Sequence, residues 1–251
     1  MLETKNLIKN FKDLGLKKGD VVLLHSSILS FGEMNIDPQI IIDAILSVLS
    51  TDGTLIVPTY NWDFCKGKSF DIQNTRSKCG VISETVRNNP NSIRVLHPIY
   101  SHSVIGKLKE EIGKMKYKSS FGENSVFSKL RELDGKIMII GLPFIFCNTF
   151  AHHVEEMMNV DYRFLKEFKG KIIDDGGNEY FDNFFMNVRP LDGSVETNFD
   201  DFEKLMDNEK ITRIKKIGKS TIKIMKANEV YARLTQEIKK NPKFLCKLSE
   251  K

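Results

Sequence analysis

Several features that mark whole classes of protein are missing from this sequence of 251 residues. No apolar run approaches the roughly 20 residues that a helix needs to cross a bilayer. The start of the chain is polar at residues 3–6 and lacks the basic and apolar regions of a secretory signal. The four cysteines form no CxxC pair and lie far apart, which predicts free thiols in a reducing compartment. We therefore expect a cytoplasmic protein with no membrane insertion.

Common catalytic and nucleotide-binding motifs are also absent. The sequence contains no P-loop and no glycine-rich dinucleotide fingerprint. It lacks the HExxH motif of zinc proteases, and the adjacent His152 and His153 would point about 100° apart on a helix, so we predict no metal. The segment 122–126 contains Gly122 and Ser125 but lacks the second glycine of a serine-hydrolase elbow.

Charge is plentiful but unevenly distributed. The 38 Lys and Arg residues exceed the 33 Asp and Glu residues, which gives a net charge of +5. The last 51 residues carry +7, whereas the first 200 carry −2. This basic segment has few aromatic residues, although single-stranded nucleic acids are bound by basic and aromatic side chains together. We predict no nucleic-acid partner, and the basic segment fits either a solvated surface or attraction for a phosphate-bearing ligand.

Helix and strand patterns alternate in the first part of the chain. Residues 3–14 have apolar side chains at helical spacing, and residues 21–24 form a fully apolar strand pattern. Asp37 opens a second helix, and a second apolar strand follows at 54–57. Fully apolar strands are typical of sheets covered on both faces. The order therefore indicates an α/β fold.

The remainder of the chain continues this pattern and then changes. We predict a strand at 136–141 and helices at 149–158 and 228–240. The Gly- and Asp-rich turn in 171–177 indicates a hairpin in the C-terminal half. No long linker rich in Pro, Gly or Ser is present, so we expect one domain over residues 1–251.

The segment 148–156 combines residues suited to proton transfer. Asn148 or Thr149 is a good N-cap, which places His152 in the first helical turn. The positive end of the helix dipole would lower the pKa of the imidazole and favour a neutral base. Glu155 and Glu156 follow at helical spacing and could orient the ring. From spacing alone, a capping threonine among satisfied polar neighbours, a metal site and a hydrolase histidine remain open.

Several segments in order resemble the aminoglycoside 3-N-acetyltransferase family, also called the antibiotic N-acetyltransferase fold. The segments that carry the resemblance span about residues 15–156 and contain His25-Ser26-Ser27, Pro58-Thr59-Tyr60, His97-Pro98, Phe121-Gly122-Glu123-Asn124-Ser125, Leu133-Asp134-Gly135-Lys136 and the spacing of Thr149, His152 and Glu155. The fold that the resemblance implies is a three-layer α/β/α sandwich around a mixed sheet, here with an elaborated C-terminal half that contains hairpins.

The resemblance also implies an enzyme that uses acetyl-CoA or another acyl-CoA as donor and an amine as acceptor, without a metal. His152 is then the catalytic base, with Glu155 as its carboxylate partner and Thr149 as a further catalytic residue. Glu156 is a departure from the family's pattern and leaves open which carboxylate orients the base. The positions implied to line the CoA and acyl site are Ser26, Ser27, His97, Ser101 and Ser125.

The acceptor is predicted less directly. Tyr60, Trp62 and Asp63 lie in a segment that could contact a sugar or simply pack a loop. We predict a nucleotide-linked amino sugar used in surface-glycan synthesis, because the first 200 residues are near neutral and the C-terminal segment is basic. The alternative is an aminoglycoside antibiotic, so that the enzyme confers resistance. A non-catalytic module that binds CoA or sugar is the alternative of another class, and a homodimer is left open.

Overall fold

A computed structural model describes residues 3–32 and 36–248. The helices of this part of the chain are α1 (Thr4–Asp13), α2 (Pro38–Leu49), α3 (Val81–Arg87), α4 (Lys109–Gly113), α5 (Val126–Glu132), α6 (Phe144–Cys147), α7 (Phe150–Met157), α8 (Asp200–Asn208) and α9 (Ala227–Lys240). The strands are β1 (Val21–Ser26), β2 (Thr54–Pro58), β3 (Phe70–Asp71), β4 (Ile93–Arg94), β5 (His102–Gly106), β6 (Lys136–Ile140), β7 (Phe164–Ile173), β8 (Glu179–Val188), β9 (Val195–Thr197), β10 (Arg213–Ile217), β11 (Ser220–Lys226) and β12 (Cys246–Leu248).

A seven-stranded mixed sheet in the order β10-β11-β6-β1-β2-β5-β4 forms the centre of the molecule. The strands β6, β1 and β2 run parallel, whereas β11, β10, β5 and β4 add to them in antiparallel pairs. In the parallel part, Leu23 of β1 lies beside Ile56 on one side and Ile137 on the other. This arrangement confirms the predicted mixed sheet.

Both faces of the sheet are covered, which explains the fully apolar strands. Val22 and Leu24 point to one side and pack in a cluster with residues of α1, α2 and α3. Leu23 points to the other side and packs with residues of α5, α7, α8 and α9. Because side chains alternate along a strand, each core strand needs apolar residues at every position. The three-layer sandwich is therefore confirmed.

Local chemistry sets where these elements begin and end. The carboxylate of Asp37 accepts a hydrogen bond at 2.9 Å from the backbone N–H of Gln39, and Pro38 occupies the first turn of α2. These are a typical helix N-cap and N1 residue. At the end of β5, Gly106 has a φ of +118°, and a Cβ there would lie 2.3 Å from the carbonyl oxygen of Gly53. Only glycine fits this close approach.

The C-terminal half contains the expected hairpins. The strands β7 and β8 pair over ten residues each, and Asp174 accepts hydrogen bonds from the backbone of Gly176 and Asn178 in the turn. A second hairpin, β10–β11, joins the main sheet beside β6. The sequence predicts hairpins in this half but locates only the turn at 171–177, not this second hairpin. No helix of the described residues has the length and apolar character needed to cross a membrane.

The basic C-terminal segment is engaged with acids of the protein. Cations of this segment lie in the ion pairs Lys215–Asp13, Lys223–Glu203, Lys226–Asp134, Arg233–Glu209 and Lys243–Asp161. Glu203 and Glu209 belong to the segment itself, whereas Asp13, Asp134 and Asp161 lie outside it, so these pairs offset part of its positive excess.

Candidate active site

The candidate site lies at the carboxyl ends of the parallel strands. The chain leaves β2 at Pro58 and places Tyr60 two residues later, and α7 begins after the loop that follows β6. In open α/β sheets this edge is where ligands commonly bind. The fold thus brings Tyr60 and the start of α7 together, with the Tyr60 hydroxyl 3.1 Å from Oγ1 of Thr149.

His152 and Glu155 form a close pair on α7. Nδ1 of His152 lies 2.6 Å from Oε2 of Glu155, a contact that the i,i+3 spacing makes possible. The Glu155 side chain is fully buried, whereas 18% of the His152 side chain is exposed. Nδ1 therefore carries the hydrogen that faces the carboxylate, which leaves Nε2 as the basic nitrogen.

Two residues that the sequence analysis did not identify complete the surroundings of Glu155. The Tyr162 hydroxyl donates to Oε1 of Glu155 at 2.7 Å, and Nε of Arg163 lies 2.8 Å from Oε2. Both residues come after the end of α7, so no helical spacing connects them to Glu155. Only tertiary structure could reveal them.

The electrostatics of the pair favour a neutral histidine beside an ionised carboxylate. Burial lowers the pKa of His152, the Arg163 cation lowers it further, and Glu155 opposes both. The direction agrees with the sequence prediction, although burial rather than the helix dipole is the main cause. Burial disfavours the charged form of Glu155, but His152, Arg163 and the Tyr162 hydroxyl together hold its pKa below the ordinary value.

Thr149 occupies the N-cap position of α7 but does not act as a side-chain cap. Its hydroxyl lies 3.1 Å from that of Tyr60, which in turn lies 3.1 Å from Nε2 of His102. The prediction of a capping side chain at Thr149 was therefore wrong, because its hydroxyl bonds to Tyr60 instead. Tyr60 is only 3% exposed, so it belongs to this buried hydrogen-bonded chain rather than to an open sugar-binding surface.

Glu156 is separated from the histidine by its own contacts. Its Oε1 accepts a hydrogen bond from the Ser119 hydroxyl. Its Oε2 is buried without a hydrogen-bond partner among the described residues. Burial raises the pKa of this carboxyl group above its ordinary value. Of the two candidate carboxylates, Glu155 is therefore the one that contacts His152.

The residues expected to line the donor site do not form one cluster of exposed side chains. Ser26 and Ser27 are half-buried at the carboxyl end of β1. Ser101, Ser125 and His97 are fully buried. Their contacts are internal: Ser101 donates to the Thr59 carbonyl, Ser125 caps α5, and Nδ1 of His97 accepts from the backbone N–H of Tyr100. A donor-binding role for these five residues stays a prediction.

Aromatic rings connect His152 to Trp62. The Phe121 ring lies 5.3 Å from the His152 ring, Tyr100 lies 4.6 Å from Phe121, and Trp62 lies 6.2 Å from Tyr100. Trp62 is 38% exposed. Asp63 forms ion pairs with Lys68 at 3.3 Å and Lys78 at 2.5 Å, and contact of Trp62 and Asp63 with an acceptor stays a prediction.

A cavity of about 730 Å³ opens beyond His97 and not at His152. The rings of Tyr117 and Phe184 line it, and each lies 5.1 Å from the His97 ring. Three lysines also line it: Lys114, Lys116 and Lys118. Within residues 3–32 and 36–248, no cluster of three or more His, Cys, Asp or Glu side chains is arranged to hold a metal ion.

The sequence of the chain is similar to those of known proteins. The family model described as aminoglycoside 3-N-acetyltransferase matches residues 23–239. The chain is 29% identical over 164 residues to the SPbeta prophage-derived aminoglycoside N(3')-acetyltransferase-like protein YokD of Bacillus subtilis, covering 56% of this chain and 60% of that protein. It is 27% identical to aminoglycoside N(3)-acetyltransferase IX of Micromonospora chalcea, covering 62% of this chain and 63% of the relative.

The alignments thus span about three fifths of the length of these curated relatives. The structural similarity to solved proteins covers a larger share of the chain than the sequence alignments do. A solved structure of AAC-IIIb in a binary complex with CoASH matches with a TM-score of 0.83 and 20% identity, covering 95% of this chain and 97% of that chain. At this identity the likeness concerns the fold alone, whereas the family model covers most of the chain. The chain therefore belongs to the aminoglycoside 3-N-acetyltransferase family.

Proposed function

We propose that the protein is an N-acetyltransferase that moves an acetyl group from acetyl-CoA to an amino group of an aminoglycoside. The observation that carries the proposal is the His152–Glu155 pair, in which a buried carboxylate holds a partly exposed and neutral imidazole. A positioned base of this kind is what amine acylation requires, because an ammonium group is not nucleophilic. Family membership and the names of the relatives support the same reaction.

In the proposed reaction an acceptor ammonium first loses a proton to solvent, and His152 then removes a proton from the attacking neutral amine through Nε2. The amine nitrogen forms a bond to the thioester carbonyl carbon, and the carbon–sulfur bond breaks. His152 then gives its proton to the departing thiolate, so that the imidazole returns to its neutral form. Glu155 keeps Nδ1 protonated and stabilises the ring while it is positively charged. Thr149 lies one turn before His152, and we propose that its hydroxyl, which contacts Tyr60 at 3.1 Å, also contacts the reacting groups.

For the donor we propose two regions. The half-buried Ser26 and Ser27 lie at the carboxyl end of β1, on the edge of the sheet where α7 begins. The cavity beyond His97 is walled by the rings of Tyr117 and Phe184 and contains Lys116, whereas Lys114 and Lys118 lie in ion pairs with Glu110 and Asp182. We propose that Lys116 binds a phosphate of the nucleotide there. Exchange of Lys116 for glutamate is expected to raise KM for acetyl-CoA several-fold and to leave kcat near the wild-type value.

For the acceptor, the comparisons favour the aminoglycoside over the nucleotide-linked sugar. The basic C-terminal segment favours a nucleotide only weakly, because several of its cations, among them Lys215, Lys223 and Arg233, form ion pairs with acids of the protein. The relatives are named as aminoglycoside acetyltransferases or as similar to them. An aminoglycoside is therefore the acceptor that we propose.

Thiol release from acetyl-CoA with a panel of amines tests this function directly. We expect release with aminoglycosides such as tobramycin, little release with UDP- or dTDP-linked amino sugars, and release slowed by a factor on the order of 10²–10⁴ with the matched variant His152→Ala. Release only with nucleotide-linked sugars would overturn the acceptor. No release with any amine, together with measurable CoA binding by calorimetry, would favour a non-catalytic binding module.

A further inference from the structure

Glu155 is a fully buried carboxylate with three polar neighbours. Its Oε2 lies 2.6 Å from Nδ1 of His152 and 2.8 Å from Nε of Arg163, and its Oε1 accepts a hydrogen bond from the Tyr162 hydroxyl at 2.7 Å. Burial disfavours the charged form of a carboxyl group, so such neighbours are needed to keep it ionised. Of the three, Arg163 carries a permanent positive charge, because a guanidinium does not lose its proton in proteins.

The C-terminal half of the chain holds Arg163 in place. Its side chain is 7% exposed. Nη1 donates to the Asn187 carbonyl of β8 at 3.2 Å, and Nη2 donates to Oγ1 of Thr197 in β9 at 3.4 Å. Two strands that follow α7 in sequence therefore fix a cation against the carboxylate of that helix. This gives the elaborated C-terminal half a direct connection to the candidate site.

We propose that Arg163 is a positioning residue that holds Glu155 and offsets its negative charge beside His152. The inference rests on the proposed general-base function of His152. A carboxylate at 2.6 Å alone would favour the protonated imidazole, which cannot accept a proton from an amine. A guanidinium on the same oxygen counteracts that effect. Glu155 can then orient the ring without keeping it protonated near neutral pH.

In the described part of the chain, two charged groups lie at His152 and its partner oxygen: Glu155 of the same helix and Arg163 of the segment before β7. Two uncharged rings also lie beside His152, Phe121 at 5.3 Å and Phe199 at 5.5 Å. Burial lowers the pKa of His152, Arg163 lowers it further, and Glu155 opposes them. Loss of the Arg163 charge should therefore raise the pH at which the His152–Glu155 pair takes up a proton.

The variants Arg163→Gln and Arg163→Lys separate charge from packing. The first removes the charge but keeps a side chain that can donate hydrogen bonds, whereas the second keeps the charge. In each full-length variant, the ring-proton NMR signals of His152 are followed over roughly pH 4 to 9, and kcat/KM is measured over the same range. In Arg163→Gln we expect the titration and the acidic limb of kcat/KM to move upward by about one pH unit. In Arg163→Lys both should stay near the wild-type position.

An unchanged titration in folded Arg163→Gln would overturn the inference. The NMR result does not depend on turnover, so an inactive protein would contradict the proposed function without deciding the role of Arg163. If Arg163→Gln does not fold, Glu155→Gln supplies the test in the opposite direction. This variant removes the negative charge that offsets Arg163 and should therefore lower the pKa of His152. An unchanged or higher pKa of His152 would overturn the inference. The signals are assigned by their loss in His152→Ala, and the buried His153 serves as an internal control.

Discussion

The two sides of helix α7 place neighbouring residues of the same type in different surroundings. His152 is partly exposed, and its Nδ1 faces Glu155. His153 is fully buried, its Nδ1 donates to the Phe121 carbonyl at 2.6 Å, and Nη1 of Arg131 lies 3.4 Å from its Nε2. Both nitrogens of His153 are thus engaged within the protein, whereas Nε2 of His152 has no hydrogen-bond partner in residues 3–32 and 36–248.

The two glutamates of the same helix also differ in their partners and in the direction of their pKa shifts. Glu155 shares its oxygens with His152, Tyr162 and Arg163, and its pKa is lowered. Glu156 contacts the Ser119 hydroxyl, and burial raises its pKa. Exposure of the side chain and the identity of its partners, rather than residue type, therefore separate a candidate catalytic pair from packing residues.

The largest expected effect distinguishes the two histidines. His152→Ala should lower kcat by a factor on the order of 10²–10⁴, because it removes a positioned general base. His153→Gln keeps a side-chain N–H for the Phe121 carbonyl and should leave kcat within about threefold of wild type while it lowers the melting temperature. Steady-state thiol release and thermal unfolding measure the two effects. Near-wild-type turnover in His152→Ala would show that His152 is not the general base and that the two histidines do not differ in catalysis.

Substitution of the two glutamates should also affect kcat unequally, with the larger loss at Glu155. Glu155→Gln replaces an ionised group that orients His152 and should reduce kcat on the order of 10²-fold. Glu156→Gln is its matched control, since an amide can still accept from Ser119 and needs no charge in a buried position. We expect it to keep kcat within about threefold and to unfold at the same or a higher temperature. Equal losses of kcat in both variants would contradict the assignment of Glu155.

A smaller effect concerns stability in acid, to which the buried histidines contribute. Burial lowers the pKa of His153 and His25 to about 4 and that of His97 to about 3. The folded protein therefore binds fewer protons than the unfolded chain between about pH 6.5 and 4, so stability falls as the pH decreases through this range. Each histidine contributes about 3 kcal/mol to this loss. Urea unfolding at several pH values measures the slope, which should become shallower in His153→Gln and would be unchanged if His153 did not contribute.

Much of the fold follows from local sequence. The apolar strands at 21–24 and 54–57 and the N-cap Asp37 were identified because their signals lie within a few residues. The placement of the β10–β11 hairpin beside β6 was not predicted. Pairing between strands that lie about 80 residues apart depends on which sheet edge is left open, and no single segment contains that information.

The candidate site likewise contains some contacts that local sequence predicts and others that it does not. The contact between His152 and Glu155 could be predicted because both lie on one helix at i,i+3 spacing. The Thr149 hydroxyl was expected to cap its own helix, but its partner is Tyr60, 89 positions earlier in the chain. Arg163 escaped notice because the strands β8 and β9 direct its side chain to Glu155. Local spacing thus identified the base and one carboxylate, whereas the groups that position them depend on tertiary contacts.

The smallest expected effect belongs to Cys147 at the end of α6. A covalent mechanism, in which the Cys147 thiol takes the acetyl group before the amine does, is the alternative to direct attack by the amine. Its thiol is buried and donates to the Pro143 carbonyl at 3.2 Å, and burial raises its pKa above the ordinary value. Because the thiolate is the nucleophile, a thiol kept protonated cannot compete with direct attack by the amine. Cys147→Ala should therefore retain kcat within about twofold, and mass spectrometry of the wild-type protein with acetyl-CoA alone should detect no acetylated Cys147. An acetylated cysteine that forms before acceptor is added, together with an inactive Cys147→Ala, would make His152 the base for a thiol instead of an amine.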